Sequence, residues 1–440
     1  MRPRWIGFLC LPLLAAALVA ASCARDRGPS EADVRSALTA VLHAKQPPFE
    51  RDTSKRSRRA WEETRRFYDR TGMLFAWSDG RSVRSTVDGL LRAVRAADRE
   101  GLDPATYHAE ALEEAQGGFD RAHAADFDVR CTYTYFRYAW DLTHGSIDPE
   151  KVAPQWHAAR PESDLSAALA AALERGTIEP SLERLGPQAP QYEALKRQLA
   201  RAREQRAQAQ IDRIVMNMDR WRWLPNDLGS RYLIVNIPAF ELNAIENGKS
   251  VLTMKVITGK VDNPTPVLAD EMESIVFSPY WNIPQSIVEK EILPKLDADP
   301  DYLERHNMEA DDSGAHYRQR PGSGNSLGAV KFVFPNHFNV YLHGTPSVSL
   351  FKRVERDFSH GCVRLEDPLE LAMYVLRDQP EWTKEKIAAA MNAGTERGVK
   401  LKTPLPIYLV YFTVWDEDGT LRTAGDVYGL DRRHAAAEDA

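Results

Sequence analysis

The chain has 440 residues, 43% of them apolar and 27% charged, enough for two or three domains of ordinary globular composition. Its 57 Lys+Arg against 63 Asp+Glu leave a formal charge of −6. That balance argues against nucleic acid as a partner, because such proteins carry a basic excess where they meet phosphate. The one basic cluster, Lys55–Arg59 with Arg65 and Arg66, reads as a solvated loop and helix face.

At the N-terminus, Arg2 and Arg4 precede an apolar, small-residue stretch from Ile6 to Ala21, broken by Pro12. It is shorter than the roughly 20 residues a membrane span needs and reads as an export signal over residues 1–22. Leu18-Val-Ala-Ala-Ser-Cys23 resembles a lipoprotein box with Cys23 as the lipidated residue, although Ala20 stands where Leu is usual. A cut after Ala24 is the alternative. Either way the expected location is the periplasm or cell envelope, with membrane anchoring through Cys23 in the first case. No later stretch is apolar enough to span a membrane. The folded part keeps two cysteines, Cys131 and Cys362. Cys131 lies among Tyr133, Tyr135, Phe136 and Tyr138 and reads as a small buried hydrophobe. A Cys131–Cys362 disulfide stays open at this point.

The predicted fold class is α+β and multidomain. A helical scaffold domain is expected over 31–190, a connecting helix over 191–218, and a β-rich catalytic domain over 219–430 with an inserted capping subdomain at about 284–328. Ser30 caps a first helix. Val83 to Arg99 forms another, with Val87, Leu90, Leu91 and Val94 at helical spacing, stopped by Gly101 and Pro104. Val129 to Leu142, Ser166 to Glu174 and a long polar helix from Tyr192 to Met218 follow. Past residue 220 the character changes. Arg231 to Pro238 and Val251 to Gly259 form a hairpin about Asn247-Gly248. Further strands are predicted at Glu273–Phe277, Lys331–Phe334, Phe338–His343 and Pro406–Trp415. Asp367-Pro-Leu-Glu370 opens a helix, with Asp as cap and Pro in the first turn. In the insertion, Ile287 to Leu303 is helix-like and charged. Pro321-Gly-Ser-Gly-Asn-Ser-Leu-Gly328 is irregular, either a mobile flap or a plain long loop.

The chemistry concentrates in Tyr341-Leu-His343-Gly344 and Ser359-His360-Gly361-Cys362-Val-Arg364. Alternation sets Phe338, Val340 and Leu342 on one face and Asn339, Tyr341 and His343 on the other. Cys362 falls in a glycine-containing turn. Gly361 lets backbone approach a substrate and lets successive N–H groups point one way, as an oxyanion hole requires. A thiol with an imidazole delivered from another element is a nucleophile–base pair. Arg364 would hold a substrate carboxylate or pair with a structural one.

His-Gly, fourteen residues, Ser-His-Gly-Cys, one residue, Arg resembles the signature of the L,D-transpeptidases with a YkuD-type catalytic domain. The resemblance implies His343 as general base and Cys362 as nucleophile, with Ser359, His360, Gly361 and Gly344 supporting the site. Tyr341 stands where the large periplasmic members also show a Tyr, and with Arg364 it is expected at the substrate. Arg220-Trp-Arg-Trp-Leu-Pro, Tyr280-Trp-Asn-Ile-Pro and the Pro321–Gly328 run resemble the large members' catalytic domain. Phe67-Tyr to Trp77 and Ala96-Ala to Tyr107 resemble their scaffold. The family's partners are peptidoglycan stem peptides, and no cofactor or metal is implied. Forming diaminopimelate crosslinks through a Cys362 thioester is the expected activity. Hydrolysis or protein attachment at the same site, and a silent wall-binding scaffold, are the alternatives. A zinc site of His343, His360 and Cys362 is disfavoured because only one residue separates the last two. The chain departs from the large members in one respect: there is no room for their small peptidoglycan-binding module.

Overall fold

The computed structural model describes residues 29–153, 156, 163–312 and 314–438. The predicted export signal and Cys23 lie outside the described residues. The chain divides into two compact units. One comprises the residues up to Arg95, Pro104–Tyr138 and Asp164–Ser181; the other comprises Ala96–Asp103, Ala139–Ser163 and everything from Leu182. A helical region therefore precedes a β-rich one, as composition and patterning predict.

The first unit is built from helices. Glu31–Leu42 starts as expected, with Ser30 and Asp33 closing a capping box. Lys55–Arg70, Thr86–Arg95 and, as far as Tyr138, the helix Ala124–His144 follow. Its polar anchor is Asp128, fully buried. Asp128 accepts from the Ala76 and Trp77 amides at 2.7 and 2.9 Å and from Tyr68 Oη at 2.9 Å. Burial still pushes its carboxyl up to about 6, against the pull of those donors. Cys131, one turn on, is fully buried, and burial pushes its thiol well up, which leaves it inert. Neither cysteine of the folded chain is in a disulfide.

The second unit is organised by a closed ring of eight strands. We number the strands in chain order: β1 Arg231–Asn236, β2 Glu241–Glu246, β3 Lys249–Gly259, β4 Leu268–Phe277, β5 Trp281–Asn282, β6 Met308–Ala310, β7 Tyr317–Gln319, β8 Val330–Val333, β9 Leu342–His343, β10 Asp357–Ser359, β11 Val363–Leu365 and β12 Arg397–Val410. The ring runs β3-β11-β9-β8-β4-β12-β1-β2 and closes through the β2–β3 hairpin, with β10 branching from the end of β3. Closure leaves the ring no free edge. Asn247 and Gly248 both take positive φ, the geometry a tight hairpin requires. Inward residues such as Leu233, Val256, Ile275, Phe332, Leu342 and Ile407 are fully buried.

Several expectations need correction. The hairpin about Asn247-Gly248 joins β2 to β3 rather than Arg231–Pro238 to Val251–Gly259, because the unpredicted β2 lies between them and pairs with both. The predicted strand Pro406–Trp415 ends at Val410, and Val414–Glu417 pairs instead with Thr420–Thr423. The single connecting helix over 191–218 is two helices, Pro190–Glu204 and Gln208–Arg222. Arg206 at φ +55° and the Ala207 N–H bonded to Ala202 O reverse the chain between them. They do not merely connect: Tyr192, Leu195, Leu199, Ile214 and Trp221 belong to the same apolar core as the ring. The predicted strand Phe338–His343 shrinks to Leu342–His343. Asn336 is the cause. Its amide donates to Phe334 O and Val340 O, and its side-chain oxygen accepts from the Phe338 and Val340 amides. The chain therefore turns there, with Asn339 at φ +53°.

The insertion folds as a small cap with its own core of Ile283, Val288, Ile292, Met308 and Tyr317. Its charged first half is a broken helix, Gln285–Ile287, a π-helical turn at Val288–Ile292 and Leu293–Ala298. Strands β5, β7 and β6 form its sheet. The glycine-rich run is neither a regular element nor loosely held. Asn325, buried, donates to Pro279 O and Arg320 O at 3.0 Å and accepts from the Leu327 amide at 2.8 Å. Gln319, also buried, donates to His306 O and Gly324 O and accepts from the Ser326 amide.

Candidate active site

Strand β9 lies between β8 and β11, and its register decides what surrounds His343. Leu342 pairs with Phe332 and with Val363, and all three are fully buried in the ring. One residue on, His343 pairs with Lys331 on one side and Arg364 on the other. Directly opposed residues share a face, so Lys331, His343 and Arg364 form a row on the opposite side of the sheet from the core. All three line a cleft of about 720 Å³ together with Tyr341, Ser359, His360 and Cys362. Trp281, Asn282, Ile283, Pro284 and Ile287 of the cap line the same cleft.

The turn that carries Cys362 is held from both ends. Ser359, 1% exposed, accepts the Gly361 N–H at 3.1 Å and donates to Cys362 O. Thr265 Oγ1 donates to Gly361 O and accepts the Gly259 N–H, both at 2.8 Å. Tyr428 Oη in turn donates to Gly259 O and accepts the Thr265 N–H. Gly361 sits at φ +114°, which a side chain would resist. The Cys362 N–H donates to nothing among the described residues. It is therefore a free donor beside the thiol, the role expected of an oxyanion group.

Cys362 Sγ rests 3.8 Å from Asn339 O, with Tyr341 against it. Burial pushes the thiol up; the Tyr341 backbone, Lys331 and Arg364 pull it back without prevailing. His343 is 4% exposed. Burial first, then Arg364 and Lys331, drive its pKa down to about 3 against the favourable main-chain contacts to Gly344 and Leu327. The ring is therefore neutral in ordinary conditions. Its Nδ1 bonds Gly344 O. A carbonyl only accepts, so in this contact Nδ1 donates its proton. The resting pair is thiol and imidazole, not thiolate and imidazolium.

The other expected residues divide. Gly344 serves through its carbonyl, and its N–H bonds Val330 O. Gly328 crosses directly over it at φ +64°. A Cβ on Gly328 would meet Thr345 N at 2.6 Å and Gly344 C at 2.7 Å. Tyr341 lies with its ring 5.7 Å from that of His343, its hydroxyl pushed up by burial and the nearby thiol. His360 points instead to the cap, Nε2 2.9 Å from Glu291 Oε1. Among the described residues no group of three His, Cys, Asp or Glu side chains is gathered as metal ligands would be. His144 closes the helix Ala124–His144, stacked on Trp140. Lys331, Asn339, Thr265 and Leu327 were not singled out from the sequence. Lys331 alone had a usable signal, a lysine inside an otherwise apolar strand.

Residues 230–404 match the family model described as the L,D-transpeptidase catalytic domain, YkuD, and residues 62–199 match the Scaffold domain. A Haemophilus influenzae protein described as "Putative L,D-transpeptidase" is 28% identical over 384 residues, covering 82% of this chain and 76% of its own. Among solved structures, an L,D-transpeptidase from Mycobacterium smegmatis is 16% identical, covering 41% of this chain and 58% of that one, with a TM-score of 0.23. LdtMt1 in complex with imipenem gives 16%, 41%, 59% and 0.23. L,D-transpeptidase 3 from Mycobacterium tuberculosis with a faropenem-derived adduct gives 15%, 41%, 60% and 0.22. This chain thus spans less than two thirds of those solved chains, and at such scores the likeness carries no weight. The two domain matches define the class: an acyltransferase catalytic domain behind a scaffold domain. The chain thus carries an L,D-transpeptidase catalytic domain preceded by a Scaffold domain.

Proposed function

We propose that the protein is an L,D-transpeptidase that crosslinks peptidoglycan stem peptides through diaminopimelate, with Cys362 as nucleophile and His343 as base. The observation that carries the reading is one cleft holding a thiol and a neutral imidazole whose Nδ1 proton is committed to Gly344 O. His343 Nε2 takes the Sγ proton as sulfur adds to the carbonyl between the L- and D-residues of a donor tetrapeptide. The Cys362 N–H faces the oxyanion. The C–N bond breaks, the imidazolium returns its proton to the departing D-alanine amine, and a thioester remains. The side-chain amine of diaminopimelate on an acceptor attacks that thioester, His343 again takes the proton, and the thiol is restored.

Imipenem, held by the solved relative LdtMt1, is the test ligand. Intact mass after incubation is expected to show one adduct on the wild type and none on Cys362→Ala. An unmodified wild type, or an adduct that survives Cys362→Ala, removes Cys362 as nucleophile.

A further inference from the structure

Lys331 and Arg364 flank His343 in register, one strand away on each side, and both line the cleft beside Cys362. Neither has a carboxylate within ion-pair distance among the described residues. Arg364 Nε is buried with no hydrogen-bond partner. Lys331 Nζ lies 3.8 Å from the centroid of the Tyr341 ring, a cation held on an aromatic face. Glu396 attracts Lys331 from beyond ion-pair distance while accepting the Tyr280 N–H at 2.7 Å, and Glu291 pairs with His360. Two cations partly withdrawn from water with no contacting carboxylate among the described residues oppose folding unless something else uses them. The thiolate is one candidate, but it is a transient charge at one point, and the row extends to both sides of His343.

We propose that Lys331 and Arg364 form a carboxylate subsite that receives the free terminal carboxylate of the donor peptide's leaving residue. This inference rests on the transpeptidase reading for the donor's identity but not for the chemistry it tests. In a peptide the terminal carboxylate carbon lies three bonds, at most about 3.7 Å, beyond the carbonyl carbon that the thiol attacks. Neighbouring strands are about 4.8 Å apart, so side chains on β8 and β11 reach that distance from a carbonyl placed between Cys362 and His343. The guanidinium supplies a planar fork and the ammonium a point charge. The subsite would make the enzyme select peptides that end one residue after the scissile bond, and reject internal bonds, whose next group is a neutral amide.

The direct probe is a pair of small alkylating agents that differ in one charge. Iodoacetate carries a carboxylate; iodoacetamide does not. Each replaces iodide by forming a carbon–sulfur bond with the thiolate, releasing iodide, while the thiol proton goes to His343 or solvent. Their rate ratio at Cys362, followed by peptide mapping of the full chain, cancels any change in thiolate content. Relative to the same ratio for N-acetylcysteine, the wild type is expected to favour iodoacetate on the order of tenfold at low salt. Lys331→Met should lower that preference, the double variant Lys331→Met/Arg364→Gln should abolish it, and Lys331→Arg should keep it. Salt should erode the wild-type preference without slowing iodoacetamide, a measurement that needs no variant. A wild-type ratio equal to that of N-acetylcysteine, or one indifferent to salt, overturns the subsite. A second arm compares acylation by a donor tetrapeptide as free acid and as terminal amide. Preference for the acid that disappears in the double variant supports the subsite; equal use of both overturns it. An intact iodoacetate preference with no acylation by either peptide leaves the subsite standing and overturns the transpeptidase reading instead.

Discussion

Cys362 and His343 each sit where burial opposes their charge, and this constrains how the proposed pair would work. A thiol pushed up and an imidazole pushed down to about 3 leave no standing ion pair. In the proposed mechanism the nucleophile is made as it attacks, by transfer to a base that is ready to accept. The sign for pH follows. His343 stays neutral throughout the working range, so only the thiol titrates, and its thiolate fraction grows with pH. The rate of Cys362 alkylation by iodoacetamide should climb continuously between about pH 6 and about pH 9. A rate already level near about pH 5, the mark of a thiolate–imidazolium pair, contradicts this picture.

At the level of elements, the site depends on a crossing of three short segments: β9, the 359–362 turn and the glycine-rich run of the cap. Asn325 is the side chain that ties the last of these down, and Leu327 beside it is one of the main-chain groups facing His343. Removing its amide takes the donor from Pro279 O, one of two from Arg320 O, and the acceptor from the Leu327 N–H. Asn325→Ala is therefore expected to cost about 2–3 kcal/mol in a urea titration and to slow imipenem acylation in the same preparation. Full stability with full acylation would show that the run is held otherwise. The same crossing marks where the sequence was readable. The His-Gly and Ser-His-Gly-Cys pattern placed the thiol, base and turn, because glycine and catalytic residue types leave a local trace. Thr265 left none, since its role comes from a loop folding back across the ring, and Lys331 left only a lysine in an apolar strand, its neighbours being set by strand register. Asn336 ended the Phe338 strand early by hydrogen bonds that alternation does not anticipate. Arg206 broke the long polar helix with a left-handed residue that is not glycine.

For the molecule as a whole, the core that supports the ring is larger than the stretch that carries the motif. Tyr192, Leu195, Trp221 and Trp223 from the helices before β1, and Tyr411, Phe412 and Tyr428 after β12, pack in one cluster with the strands. Asp219 adds a buried polar tie, accepting from the Ser146 amide and pairing with Arg222 and His434. A fragment limited to residues 230–404 loses all of these and should show no cooperative thermal transition. A sharp melt from that fragment, with imipenem acylation retained, would mean the flanking helices are dispensable. The central claim, that this architecture joins two stem peptides through Cys362, is tested most directly by muropeptide analysis. Purified diaminopimelate-containing tetrapeptide muropeptide is incubated with the full chain and the products are sequenced by tandem mass spectrometry. The account predicts dimers joined between diaminopimelate residues, one D-alanine released per dimer, and neither product with Cys362→Ala. Dimers formed by Cys362→Ala, or a wild type that leaves the monomer untouched, would contradict it.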